Sequence, residues 1–283
     1  MDLSVITPCF NSIRWIELCV RSVRYACRDL FYEHILCDGG STDGTLEYLR
    51  NQTDIRLVPG PDQGMYDALN KGMASARGRW YGHLNADEQY DRVGLGQALT
   101  RLRETGSDAV FGPTVMLDEN LDFLYLYRQI TPPRPVDAEY QMPVQTCSLL
   151  CRREVWERLP YPADYRMAGD HVWIRRQFRA GWSLLPQKRP IGIFTWHPEQ
   201  LAPRHIGGNR ENPTPDVNRK SLPLKMAKLA YRFRGLLHGA PIPPATLYYE
   251  VMTPSGFAEL RRESWPRLKM PRPVKLRLAP SRH

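Results

Sequence analysis

Several features that would assign this chain at once are absent. No run approaches the ~20 consecutive apolar residues of a membrane span. The first residues, MDLSVITPCF, have neither the basic start nor the apolar stretch of a signal peptide. A cytosolic location is the resulting expectation. The six cysteines (Cys9, Cys19, Cys27, Cys37, Cys147, Cys151) form no CxxC pair. Cys147 and Cys151 stand four apart, but no second pair or histidine cluster completes a zinc site. Buried, reduced thiols are expected instead. Neither GxGxxG nor GxxxxGK[ST] occurs, which excludes the two usual phosphate-loop fingerprints. There is no internal repeat and no low-complexity tract.

What is present is a chain of 283 residues, long enough for one large domain or two small ones. Its net charge is +9, and the distribution is uneven. Residues 204–283 hold 16 Lys+Arg and 5 Asp+Glu, a net of +11; residues 1–203 hold 23 and 25, a net of −2. A slightly acidic N-terminal part argues against a nucleic-acid partner there.

The N-terminal half alternates strand and helix. Leu3–Thr7 is a short apolar strand. Ile16, Val20, Val23 and Cys27 recur at helical spacing. Strands follow at 32–37, 55–58, 80–84 and 109–111. Helices fall between them, one capped by Thr42 or Asp43, one carrying Met65, Leu69, Met73 and Ala76, and one with Leu95, Leu99 and Leu102. Strict alternation predicts an α/β fold with a mostly parallel, doubly wound sheet. Such sheets bind ligands beyond the carboxyl ends of their strands.

Those ends carry the polar residues. They read Thr7-Pro8-Cys9-Phe10-Asn11, then Asp38 to Thr45, then Gly60 to Gly72, then Leu84-Asn85-Ala86-Asp87-Glu88. Acidic groups converging on one edge suit a divalent cation and the hydroxyls of a sugar or ribose. In order, spacing and residues these segments resemble the family 2 glycosyltransferases of the GT-A fold. Asp38 to Thr45 resembles the family's DGGSTDGT, Pro61 to Gly72 its PDxGxYDAxNKG, and Leu84 to Glu88 its LNxDD. The likeness spans about residues 3–200.

The resemblance implies a donor site for a nucleotide-sugar (UDP- or GDP-sugar). Thr7, Pro8 and Asn11 would line the base and ribose pocket, and Asp38 would hydrogen-bond the base. Asp62 would lie close to the nucleoside, with Gly39 and Met65 completing the set. Asn85-Ala86-Asp87 takes the place of the DxD metal motif. There Asp87 would ligate Mn²⁺ or Mg²⁺, which offsets charge on the departing diphosphate. The chain departs from the family pattern at Asn85, which replaces the first acidic position, and at Glu88, which replaces the second aspartate of the pair.

In the second half, Leu121 to Tyr127 reads as a strand, Thr131 to Pro135 as a rigid loop, and Cys151 to Leu159 as a strand end and short helix. Val144 replaces a family histidine before Gln145. The stretch Tyr165 to Trp173 resembles the family's YRxAADYDLW and places Asp170 at its first aspartate. In inverting members that group is the general base, which takes the acceptor hydroxyl's proton. Val172 replaces the motif's second aspartate, and His171 is expected to form pocket wall. His197, after the strand Ile191–Thr195, is a second metal-ligand candidate. Arg204 and His205 could contact phosphates from the same loop.

The domain reading is a GT-A catalytic domain at 1–203 (nucleotide half 1–112, acceptor half 113–203), a flexible loop at 204–222 and a basic helical extension at 223–283. In that extension Leu222, Met226, Leu229, Phe233 and Leu236 form one apolar stripe, with Lys225, Lys228, Arg232 and Arg234 off it. Two readings stay open: the stripe packs on the catalytic domain, or it lies on an anionic membrane surface. The second would make the protein peripheral at the inner face of the plasma membrane, with a glycan or lipid-linked acceptor. The resemblance further implies bacterial surface polysaccharide or lipopolysaccharide assembly. The rivals are a sugar-phosphate nucleotidyltransferase, a non-catalytic family member, and a nucleic-acid-binding protein with a basic tail. The first would carry a basic glycine-rich loop near strand one, and Thr7-Pro8-Cys9-Phe10 has none. The third would show strongly salt-dependent nucleic-acid affinity.

Overall fold

The computed structural model describes residues 1–129, 133–139, 141–200, 221–239 and 245–264. Its centre is β1 (Leu3–Cys9), whose seven residues are all buried. A strand buried on both faces reads as mostly apolar, here with Ser4 and Thr7 buried against Glu33 and His34. It pairs in parallel with β2 (Tyr32–Asp38) on one side and β4 (Trp80–His83) on the other. Beyond β2 lies β3 (Arg56–Pro59), also parallel. The connecting helices are α1 (Ile13–Ala26), α2 (Thr45–Arg50) and α3 (Met65–Ser75). The predicted stripe of α1 is buried at Ile16, Val20 and Val23, and Cys27 follows at the helix end.

The sheet is not strictly parallel. After β5 (Glu88–Tyr90), α4 (Arg92–Thr105), β6 (Ala109–Phe111), β7 (Thr114–Leu117) and β8 (Phe123–Tyr127), the chain returns as β9 (Leu149–Arg152). β9 inserts antiparallel between β4 and β6. It arrives from the acceptor half, so no βαβ crossover sets its direction. α5 (Arg153–Arg158), α6 (Gly169–Arg179), β10 (Leu184–Pro186) and β11 (Gly192–Thr195) follow. The main sheet has the order β10-β6-β9-β4-β1-β2-β3, and a second sheet has β5-β11-β7-β8. All six cysteines are buried and free.

The C-terminal reading needs correction. A helix, α7 (Leu222–Gly239), does form. It is followed by a hairpin, β12 (Ala245–Thr253) and β13 (Gly256–Ser264), so the extension is not simply helical. Leu247, Tyr249 and Val251 alternate along β12 and share a core with Val115, Leu117, Leu126 and Ile193 of the second sheet. The Gln89 side chain donates to Met252 O (3.1 Å) and accepts from Met252 N (2.7 Å), as a backbone neighbour would. Glu250 N donates to Asp91, and Arg92 N donates to Glu250. The hairpin therefore shares a core with the second sheet. Arg204 and His205, most of the 204–222 loop, Thr131, and the basic run from Trp265 onward lie outside the described residues.

Candidate active site

The strand ends meet along one edge, held by side chains that bond across loops. Asn11 takes a left-handed backbone (φ 49°), which a short polar side chain tolerates. Its Oδ1 accepts from Thr42 N (2.9 Å) and its N–H donates to Ser41 Oγ (2.8 Å). The loops after β1 and β2 are thereby joined. Thr7 and Pro8 are buried in β1. The Thr7 hydroxyl lies 2.9 Å from His34 Nε2, inside the protein, so it can support a pocket only from behind. Burial pushes the pKa of His34 down to about 3, which keeps the ring neutral.

Asp38 is also turned inward. Its carboxylate accepts from Gly40 N and Ser41 N (3.0 Å each), from Ser41 Oγ (2.6 Å) and from the Cys9 thiol. Those bonds shape the Gly39–Ser41 turn. Asp62 is half-buried and differs. Its Oδ1 accepts from Gly64 N (2.8 Å), while Oδ2 leans over Gly39. A Cβ at Gly39 would stand 2.6 Å from that oxygen, so a larger residue there would push the Asp62 carboxylate aside. Asp38 and Asp62 line a cavity of about 280 Å³ with Cys37, Gly60 and Lys71. Met65, at the start of α3, is half-buried against the core.

The turn after β4 carries the metal candidates. Asn85 Oδ1 bonds His83 Nε2 (3.0 Å), and His83 Nδ1 lies 3.2 Å from the Tyr161 hydroxyl. Burial pushes His83 down to about 4, so it is neutral and donates one N–H to Asn85. Ala86 is packed in the core. Glu88 is buried, and Asn85 N donates to its carboxylate (2.8 Å). Its pKa is raised by burial first and then by Asp87. Glu88 thus closes the turn from inside. Asp87 is half-buried: its Oδ2 accepts from His197 Nε2 and Gln200 Nε2, each at 2.9 Å. His197 is buried, its ring lies 4.8 Å from the Trp15 ring at a 32° tilt, and its Nδ1 has no hydrogen-bond partner among the described residues. Among the described residues no group of three or more acidic, histidine or cysteine side chains gathers as a ready metal cage. The donor set is one carboxylate beside one imidazole.

Asp170 lies on α6, second in the helix after Gly169. Its Oδ1 accepts from His171 N (2.7 Å) and from the Tyr66 hydroxyl (3.4 Å), whose main acceptor is Met167 O at 2.9 Å. Burial raises its pKa to about 6, and those two donors hold it from rising further. Gly169 allows the approach: a Cβ there would meet the Tyr66 ring at 2.5 Å. His171 points away, its Nε2 2.7 Å from Ala138 O. Tyr66 and Tyr161 stack at 5.7 Å, so a chain of contacts runs Asn85–His83–Tyr161–Tyr66–Asp170. Tyr66 and His83 were not singled out from sequence, although both stand inside or beside the quoted motifs. Gln200 had no signal beyond its nearness to His197.

The profile of glycosyl transferase family 2 matches residues 4–180, which include Asp38, Asp87 and Asp170. The chain belongs to that family. Among family 2 relatives, the PGL/p-HBAD biosynthesis glycosyltransferase of Mycobacterium tuberculosis is 34% identical over 125 residues, covering 41% of this chain and 48% of that protein. Glycosyltransferase AglE of Haloferax volcanii is 28% identical over 212 residues, covering 69% and 67%. The chain thus spans about half the length of the mycobacterial relative. Two solved structures share the fold. Staphylococcus aureus TarS 1–349 with UDP-GlcNAc superposes with a TM-score of 0.58 at 16% identity, over 83% of this chain and 67% of that one. The mannosyltransferase PcManGT of Pyrobaculum calidifontis, with GDP-Man and Mn²⁺, gives 0.54 at 18%, over 86% and 76%. The family 2 chain described here has GT-A architecture.

One expected outcome arises from the Tyr66 contact. Tyr66→Phe removes a donor that favours ionised Asp170, so the acid limb of the pH–rate profile should move up. Activity at pH 6 should then fall more than activity at pH 8. A uniform loss across pH would make the contact merely structural.

Proposed function

We propose that this chain is an inverting transferase that moves one sugar from a UDP- or GDP-sugar to a hydroxyl of a glycan or lipid-linked glycan. The carrying observation is the separation of roles between two carboxylates. Asp87 has an imidazole and an amide on one oxygen and stands at the end of β4. Asp170 stands on another element, and its Oδ2 has no hydrogen-bond partner among the described residues.

Asp170 takes the acceptor proton on Oδ2 as the hydroxyl attacks the sugar's C1 from the face opposite the diphosphate. Tyr66 and the His171 amide hold Oδ1 and so fix the direction of Oδ2. The pKa near 6 leaves the base ionised at neutral pH yet closer to it than an ordinary aspartate. Asp62 is positioned to meet the nucleoside with its free oxygen, and Asp38 to shape the turn beside it. Asp87 and His197 fit a divalent cation, Mn²⁺ or Mg²⁺, that the donor's phosphates would help to hold. Such an ion supplies charge neutralisation at the departing diphosphate. Asn85 is tied to His83 and contributes less than an aspartate would.

The test is a thermal-shift screen of nucleoside diphosphates with Mn²⁺. A ligand at about 100 times its Kd stabilises the fold by about 2.7 kcal/mol. One diphosphate should raise Tm with the metal and do so less after chelation. No response to any of them, together with no turnover of nucleotide-sugars, would refute the reading.

A further inference from the structure

Helix α7 presents a line of large apolar side chains to solvent. Leu222, Met226, Leu229 and Phe233 are 69%, 62%, 67% and 60% exposed. Their spacing of four, three and four residues puts them on one stripe. A single exposed leucine needs no explanation. A continuous line over three turns does, because it leaves contiguous apolar surface in water.

The opposite side of α7 fixes this orientation. Tyr231 is buried. Arg234 donates to Asp137 (3.0 Å), and Asp137 is itself fully buried. The helix therefore turns its polar anchor inward and its apolar stripe outward, the reverse of an ordinary surface helix. The four described residues of the stripe, Leu222, Met226, Leu229 and Phe233, do not pack on the rest of the chain. Lys225 and Lys228 are exposed beside the stripe, and residues 222–239 contain no Asp or Glu.

We propose that this face of α7 docks, lying in the plane, on an anionic lipid bilayer. Apolar side chains beside uncompensated lysines match an acidic headgroup layer over acyl chains. A second copy of the chain would instead bring like charges together. The site is tied to that face. Asp137 belongs to the turn Pro135–Glu139, which receives His171 on Ala138 O and Arg175 on Glu139 (2.7 Å each). His171 and Arg175 lie on α6, the helix of Asp170. The lipid face and the proton-accepting side chain thus belong to one packed unit, which favours an acceptor carried in the bilayer. That last clause rests on the proposed function; the docking itself does not.

The experiment is co-sedimentation of the full chain with vesicles of phosphatidylcholine alone or with added phosphatidylglycerol. Point variants are used because deleting the C-terminal residues would also remove the hairpin. The wild type should bind the anionic vesicles, and about 0.5 M salt should weaken that binding. Leu229→Glu with Phe233→Glu should reduce binding by about tenfold or more, and Lys225→Glu with Lys228→Glu by a similar factor. All four residues are exposed, so circular dichroism and any nucleotide-induced Tm shift should be unchanged. The proposal is overturned if the wild type ignores anionic vesicles, or if the Leu229→Glu, Phe233→Glu variant binds them as well as wild type. It is also overturned if sedimentation velocity shows a dimer that those substitutions dissociate while vesicles stay unbound. Loss of nucleotide response in the wild type would count against the proposed function and leave the docking result intact.

Discussion

Asp170→Asn should lower sugar transfer by about 10²–10⁴-fold, the usual worth of a positioned general base. Donor binding should persist, because Asp170 shares no hydrogen bond with Asp87 or His197. Stability should move the other way. The pKa of Asp170 rises from 3.8 to about 6 on folding, so ionisation is penalised in the folded state. That penalty is absent below pH 4, grows between about 4 and 6, and is full at neutral pH. An uncharged asparagine escapes it and keeps an oxygen for Tyr66 and the His171 amide. Its Tm at pH 7 should therefore equal or exceed that of the wild type, with the difference vanishing near pH 4. A variant that is inactive and much less stable would mean the carboxylate is structural. One that retains full transfer would remove the base assignment alone.

The second large effect is expected at Asp87. Asp87→Asn should cost about 10²–10³-fold in transfer, as loss of one charge-stabilising group does. It should also abolish the metal-dependent part of the nucleotide-induced Tm shift. The informative control is its neighbour. Glu88 faces inward, accepts from Asn85 N, and is held toward its neutral form by burial. Glu88→Gln should therefore retain the metal response and most activity. Equal losses at the two positions, read by titrating Mn²⁺ against Tm, would mean that both carboxylates reach the ion.

Much of this was legible before the structure. β1 and β4 are fully buried, as is β2 from His34 onward, so their apolar residues stand out, and the helical stripe of α1 marks its core side. The motif residues Asp87 and Asp170 stand at loops and helix starts, as expected for groups that meet a ligand. What escaped has physical reasons. β5 is three residues, Glu88-Gln89-Tyr90, polar in two of them, and its burial comes from partners far away in sequence. The antiparallel insertion of β9 depends on where the acceptor half enters the sheet. The hairpin β12–β13 alternates apolar and polar residues, but its sequence was read as part of a basic extension. The inward turn of Asp38 and the reach of Asp62 over Gly39 are matters of side-chain direction, which no linear pattern reports.

The bridge between Gln89 and Met252 has a consequence for how the protein is made. The family profile ends at residue 180, yet the outer face of the second sheet is closed by residues 245–264. Contacts 163 positions apart must form before that face is dry. Such long-range pairing slows folding. During synthesis the homologous segment emerges first and waits, with part of its apolar surface open, for the hairpin to leave the ribosome. The unit that folds runs past the family profile, and a chain shortened before residue 245 would leave the apolar face of the second sheet open to water.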